Sequence, residues 1–171
     1  RAWNVQEDVP LGPRLNLSAV FSSPTFGGDR RRFLMAGEAH SGRKLGRWLV
    51  LADTWFSGRV EDGGTHNLVA GFQLGAAQLG SVGLQTRFLV EGSHRLDSDR
   101  QLTLGADLGL RGWDPDYFDG TGRAILNVQW RQLLKEEVLG LFTVGFVLFG
   151  DAGYTWNPRG GGPRSATVRK L

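Results

Sequence analysis

The sequence predicts an all-β protein built from antiparallel strands, and two observations lead to this fold class. Apolar residues recur at every second position along most of the chain, which is the spacing of side chains on one face of a strand. No segment of the 171 residues shows a convincing helical period. Glycine accounts for 26 residues, about twice its average usage. The chain has no cysteine, which excludes disulfides, thiolate metal sites and cysteine nucleophiles.

The alternation is clearest over residues 141–156. The even positions of this segment carry no charge and end in Tyr154 and Trp156, whereas the odd positions are mixed and include Asp151. The same pattern predicts about eight strands, of which the segment 141–156 is the last; the others are 14–22, 31–40, 45–57, 66–76, 82–95, 99–108 and 123–133.

The predicted connections differ in length. Short links are expected at 41–44 and 96–98, and longer connections at 23–30, 58–65 and 109–122. These boundaries place the 109–122 connection at the opposite end of the strands from the other two long ones. A membrane barrel keeps its long loops at one end, so the predicted boundaries conflict with that arrangement.

Strand length and composition favour an antiparallel transmembrane β-barrel over a soluble β-barrel or sandwich. Most predicted strands have about the 9–11 residues that a tilted strand needs to cross a bilayer. Lysine is rare, and the aromatics Trp48, Trp130, Tyr154 and Trp156 suit the membrane interfaces. The net charge of +3 is too small to indicate nucleic-acid binding.

Two short motifs carry the most specific signal. The 109–122 connection contains Leu110-Arg111-Gly112-Trp113, and the last predicted strand contains Phe149-Gly150-Asp151-Ala152-Gly153. Asp151 lies on the face opposite the apolar side chains, so in a barrel it faces the lumen. A carboxylate in a partly desolvated interior requires a cation, and arginine meets a carboxylate with two parallel hydrogen bonds.

The ordered pair of motifs resembles the BamA-type superfamily, which includes outer-membrane assembly factors and two-partner secretion transporters. The resemblance implies that Arg111, at the tip of an inward-folding loop, binds Asp151. It further implies that Gly112 turns the loop tightly, that Trp113 packs on the inner wall and that Gly153 completes the strand motif. The acid expected on the intervening strand appears as Gln129, which accepts a hydrogen bond without charge. Asp107 and Glu91 are alternative partners for the arginine.

The resemblance also implies an architecture and a location. Residues 1–171 are expected to form a single region of a barrel of about sixteen strands, and therefore an internal fragment of a larger bacterial outer-membrane protein. Its expected partners are outer-membrane lipid, substrate proteins and accessory periplasmic factors. We expect no cofactor, metal or enzymatic activity, because neither a nucleophile–base pair nor ligand-like spacing of His40, His66 and His94 is present.

Two other functions remain open from the sequence. The chain can be a small closed barrel of eight strands with a binding or scaffolding role, since eight strands close around a filled interior. It can also be a soluble β-domain that binds an apolar ligand. The first alternative requires that the first and last strands pair, and the second requires solubility without detergent.

Overall fold

The protein is an antiparallel all-β structure, described here by a computed structural model of residues 9–80, 82–138, 142–157 and 161–170. Within these residues the only helical segments are two short 3-10 turns, Pro24–Phe26 and Ala106–Leu108. The all-β prediction is confirmed. The strands are β1 Gly12–Ser22, β2 Arg32–Leu45, β3 Trp48–Glu61, β4 Gly64–Gln78, β5 Val82–His94, β6 Leu102–Leu104, β7 Phe118–Gly120, β8 Gly122–Val138, β9 Phe142–Asn157 and β10 Gly161–Lys170.

Eight of these strands form one sheet in the order β1-β2-β3-β4-β5-β8-β9-β10. All neighbouring strands in it are antiparallel. Across the described residues β1 pairs only with β2, and β10 pairs only with β9, so the sheet is open. No helix in this part of the chain is long and apolar enough to cross a membrane.

The predicted strand 99–108 is wrong. Only Leu102–Leu104 is extended, and it pairs with Phe118–Gly120 in a separate two-stranded ribbon. The apolar side chains that suggested a strand are buried for another reason: they pack a loop onto the sheet, as Leu104 does at 1% exposure. Residues 95–121 therefore form one long connection between β5 and β8, which we call the inward loop.

This correction removes the conflict over loop position. The inward loop and the connection at 23–31 lie at the same end of the sheet, which we call the loop end. At the opposite end β2 turns into β3 through Gly46 and Arg47 alone, and only three residues separate Gln78 from Val82. Both long described connections thus lie at one end, together with the tight turn between β3 and β4, and the described connections at the other end are all short. Long loops confined to one end are the usual arrangement of membrane barrels.

Three predicted connections are also wrong. Residues 41–44 lie inside β2, and residues 96–98 belong to the inward loop. The predicted long connection 58–65 is a tight turn at Asp62 and Gly63, whose φ angles are +51° and +75°. An Asp-Gly pair with two positive φ angles is the preferred chemistry of a two-residue hairpin, so the strands run further than the hydrophobic pattern indicated.

The sheet also continues beyond the strand that was expected to be the last. The described strand β10 pairs with β9 in antiparallel register, with Thr167 opposite Ala152. Its sequence begins with Gly-Gly-Pro. Glycine and proline are typical of loops, so the sequence pattern did not predict a strand here. The predicted single barrel region 1–171 begins and ends outside the described residues.

The two faces of the sheet differ in character. The outer face exposes large apolar side chains from strands β1–β5, β8 and β9: Leu15, Leu17, Phe21, Phe33, Phe56, Phe72, Leu74, Phe88, Leu126, Val128, Phe146 and Leu148. The inner face carries charged and amide side chains and is covered in part by the inward loop. Leu104, Leu110 and Phe118 of the loop pack with Ile125 of β8 into a small buried core.

The predicted interfacial aromatics lie on the outer face at different heights. Trp48 begins β3 at the short-turn end, whereas Trp130 lies midway along β8, where its ring meets Phe146 edge-on at 5.2 Å. Tyr154 and Trp156 lie at the loop end of β9, with ring centroids 6.1 Å apart. Trp156 covers Gly122 of β8, where any side chain would collide with the indole.

The loop core generates a first prediction. Leu110 is fully buried, so Leu110→Ala should lower the free energy of unfolding by about 2–5 kcal/mol through lost burial and the cavity left behind. Denaturant unfolding monitored by tryptophan fluorescence measures the change. The control is Leu45→Ala at an exposed position, which should change stability by less than about 1 kcal/mol. Equal effects of the two substitutions would contradict a packed loop core.

Candidate functional site

The tip of the inward loop is joined to the inner face of the sheet by Arg111. Its Nε and Nη2 each donate to a different oxygen of Asp151, both at 2.8 Å, and its backbone N–H donates to Oδ2 at 3.2 Å. The remaining terminal nitrogen, Nη1, donates to Gln129 Oε1 at 2.8 Å. The guanidinium therefore bridges β8 and β9 while its carboxylate contact is bidentate, the strongest geometry for this pair.

Asp151 is the buried half of this contact. Its side chain has no exposed surface, whereas that of Arg111 is 34% exposed. Asn127 Nδ2 adds a hydrogen bond to Oδ1 at 2.7 Å, so the carboxylate accepts four in all. The Arg111 guanidinium also lies 3.9 Å from the centre of the Phe149 ring, a cation–π contact. Loss of the cation from a buried carboxylate strongly destabilises the folded protein. The stability of the wall at Asp151 therefore depends on the position of the loop tip.

Three glycines allow the loop to lie close to the wall. Gly109 and Gly112 have φ angles of +97° and +91°, a region that other residues adopt only with strain. Gly153 of β9 faces the loop core, and a Cβ there would approach Leu104 to 2.9 Å and Leu110 to 3.2 Å. The last glycine of the strand motif therefore leaves space for the apolar side chains of the loop.

Trp113 packs in a cluster of aromatic side chains near the tip of the inward loop. Its ring centre is 4.9 Å from that of Tyr117 and 5.0 Å from that of Phe118, and it packs against the loop core. The indole Nε1 is buried and has no hydrogen-bond partner in the described part of the chain. Trp113 thus contributes packing of the loop tip rather than a polar contact.

The structure brings together Arg111, Gly112, Trp113, Gln129, Asp151 and Gly153. The two alternative acids serve other contacts. Glu91 forms an ion pair with Arg123 at 2.5 Å and accepts from Trp55 Nε1 at 2.8 Å. Asp107 accepts only from the backbone N–H of Asp116, at 3.4 Å, among the described residues. Neither is the partner of Arg111.

Sequence reasoning missed a second set of contacts, in which side chains of the sheet hold backbone carbonyls of the loop. Arg87 Nη1 donates to Leu108 O at 2.7 Å, and Asn127 Nδ2 donates to Gly109 O at 2.7 Å. Arg123 Nη1 donates to Thr103 O. A backbone carbonyl acceptor has no signature in the sequence, so these contacts could not be predicted. The one available signal was that Asn127 lies on the same strand face as Gln129.

The start of the loop is fixed at the rim of the sheet by Asp97. Arg59 donates to both of its carboxylate oxygens, at 2.7 and 2.9 Å, and the Asn67 amide donates to one of them. Asn67 lies next to an irregularity in the β3–β4 register and has a φ of +48°. The Arg59 guanidinium and, after it, the Asn67 amide hold the pKa of Asp97 below its ordinary value.

These contacts attach the inward loop to the inner face of the sheet. Ion pairs hold the tip and the start of the loop, and side chains of Arg87, Arg123 and Asn127 hold backbone carbonyls between them. The described residues contain no group of three or more His, Cys, Asp or Glu side chains suited to a metal ion. His40 is bound between Asp53 Oδ1 at 2.6 Å and the Pro10 carbonyl at 2.9 Å.

The fold and the site together define a class in structural terms: an open antiparallel sheet, apolar outside, with a long loop held against its inner face. No protein-family model matches the chain, and no curated protein or solved structure is significantly similar to it. The assignment of a function therefore depends on the residues and their geometry.

The anchor gives a second prediction. Arg111→Ala leaves the Asp151 carboxylate buried without its cation and should lower the free energy of unfolding by about 3–5 kcal/mol. Asp151→Ala should also destabilise. The double variant should cost clearly less than the sum of the two single changes, because they remove the same contact. Denaturant unfolding of all four proteins measures this coupling, and strictly additive costs would show that the pair is not coupled.

The start of the loop gives a prediction about pH. The pKa of Asp97 is lowered in the folded protein, so its contribution to stability is full above the ordinary aspartate value of about 3.9. That contribution is lost as the pH falls through the lowered folded value. Limited proteolysis of the loop from pH 7 to pH 3 should therefore show cleavage that increases only at acid pH. Asp97→Asn should show faster cleavage already at pH 7, and cleavage of the variant at the wild-type rate would contradict the role of Asp97.

Proposed function

We propose that this chain is a region of a BamA-type outer-membrane β-barrel that inserts or translocates proteins at the bacterial outer membrane. The observation that carries the proposal is the contact between Arg111 and Asp151. The two residues belong to the two motifs of that superfamily, in its order and with one sheet strand between them. The pair also has the role that the resemblance implies, since it joins the tip of a long loop to the inner face of the sheet.

The outer face supports a membrane location. A row of exposed leucine, valine and phenylalanine side chains runs across seven neighbouring strands, and extended exposed apolar surfaces mark contact with a membrane or a partner. Trp48 lies at the short-turn edge of this surface, and Tyr154 and Trp156 lie at the loop edge, whereas Trp130 lies midway along β8. Aromatic residues at both edges match the girdles that flank the apolar band of an outer-membrane barrel.

The open sheet favours a part of a larger barrel over a small closed one. A closed eight-stranded barrel requires that its first and last strands pair. In the described residues β1 and β10 do not pair with each other. Unpaired edges favour pairing with further strands, and a barrel of about sixteen strands provides them. Outer-membrane lipid, substrate proteins and accessory periplasmic factors are then the partners, and no cofactor, metal or chemical step is involved.

The proposed mechanism is conformational. The loop lies on the inner wall and narrows the space that a wider barrel encloses. Its contacts are of two kinds: ion pairs at the tip and at the start, and hydrogen bonds from wall side chains to loop carbonyls between them. Release of Arg111 frees the tip while the Asp97 contact retains the start of the loop. The ion pair thus sets the balance between a narrowed and an open lumen.

An activity measurement in the native host tests this proposal. Strains whose only copy of the intact protein carries Arg111→Ala should show reduced amounts of other outer-membrane barrels or of a secreted passenger protein. Arg100→Ala is the matched control, because it removes an exposed arginine of the same loop whose side chain makes no hydrogen bond within the described residues. Membrane fractionation should place both variants in the outer membrane.

Three results would contradict the proposal. Full assembly and secretion with Arg111→Ala, at wild-type abundance, would exclude the role of the loop contact. Recovery of the intact protein in a soluble fraction without detergent would favour the soluble β-domain. A closed barrel of only these strands in the intact protein would favour the small binding or scaffolding barrel.

A further inference from the structure

A cavity of about 400 Å³ lies beneath the tip of the inward loop, against the inner face of β3, β4, β5 and β8. It is distinct from the buried apolar core of the loop. Its polar lining includes Arg87, Arg111, Gln85 and Gln129, and its apolar lining includes Leu49 and Leu51. The Asp151 carboxylate has no exposed surface, so the charge presented to this space is positive.

The positive charge of Arg87 is not matched by an acid among the described side chains. Its Nε donates to Gln73 at 2.8 Å and its Nη1 to the Leu108 carbonyl at 2.7 Å, both neutral acceptors. The acids of β3, β5 and β9 that the structure describes are engaged by other side chains: Asp53 by His40, Glu61 by three arginines, Glu91 by Arg123 and Asp151 by Arg111.

The free hydrogen-bonding groups at this cavity are donors. Arg87 Nη2 makes no hydrogen bond within the described part of the chain. Gln85 accepts from Gln129 Nε2 at 3.4 Å through its carbonyl oxygen, which leaves its own amide nitrogen available. A guanidinium and an amide donor beside a wall of two leucines match an anionic oxygen group that carries a short apolar chain.

We propose that this cavity is a carboxylate-binding site in which Arg87 is the principal ligand. A cation held in a partly desolvated interior is unfavourable until an anion pairs with it, and the guanidinium fork suits a carboxylate. Arg87 also holds the Leu108 carbonyl, so a bound carboxylate stabilises the loop in its inward position. The site follows from the cavity and its charges and does not depend on the proposed role in the outer membrane.

The direct test is titration calorimetry of the intact protein in a non-ionic detergent, with sodium butyrate, sodium phosphate and neutral butanol at matched ionic strength. We expect saturable butyrate binding, weaker phosphate binding and no saturable butanol binding. Butyrate should also raise the midpoint of thermal unfolding. Absence of butyrate binding, equal binding of butanol, or binding of phosphate alone would overturn the proposal.

Two variants and a control locate the site. Arg87→Gln should weaken butyrate binding by about tenfold or more, the loss expected for a charge-assisted contact, whereas Arg100→Gln should leave it unchanged. Because Arg87 also holds the loop, Gln85→Glu provides a second test. It places a carboxylate two residues from Arg87 on the same strand face, so it should raise the unfolding midpoint without ligand and abolish the butyrate response. An unchanged response in Gln85→Glu would overturn the proposal.

Discussion

The structure depends on one constraint: the Asp151 carboxylate has no exposed surface and must receive its hydrogen bonds from the protein. Arg111 supplies three of the four and Asn127 the fourth. The loop tip, β8 and β9 therefore meet at one charge. Gly112 turns the chain there, and Gly153 leaves space for the apolar side chains that the tip carries with it. Neither the loop position nor the burial of Asp151 is stable without the other.

The rest of the architecture follows from the separation of the two faces. Alternation along each strand sends apolar side chains outward and polar ones inward. The inner face then offers donors, and the loop satisfies them with backbone carbonyls at Thr103, Leu108 and Gly109. Ion pairs hold the start and the tip of the loop, and hydrogen bonds to its backbone carbonyls hold the part between them. Within the proposed function, this division allows the tip to be released while the start stays attached.

Sequence reasoning was accurate where periodicity and motif order carry the information. The all-β class and most of the sheet strands followed from periodicity, and the meeting of Arg111 with Asp151 followed from the resemblance that the ordered motifs carry. It failed where the same apolar spacing has another cause, as at 99–108, where Leu104 and Leu108 pack a loop rather than form a strand. It also missed the turn at Asp62 and Gly63. The contact of Arg87 with the loop was missed because a backbone carbonyl acceptor has no sequence signature. The membrane location and the transport role stay predictions.

The central claim is that the loop tip lies on the inner wall because Arg111 holds it there. Residues 1–171 contain no cysteine, so a single thiol introduced here reports on one position once every cysteine elsewhere in the intact protein is replaced by serine. Leu110→Cys is buried and Tyr117→Cys is exposed on the same loop. With an impermeant maleimide on the intact protein, we expect fast labelling of Tyr117→Cys, slow labelling of Leu110→Cys, and fast labelling of Leu110→Cys once Arg111→Ala is added. Equal labelling of the two positions with Arg111 intact, or continued protection of Leu110→Cys without it, would contradict the claim.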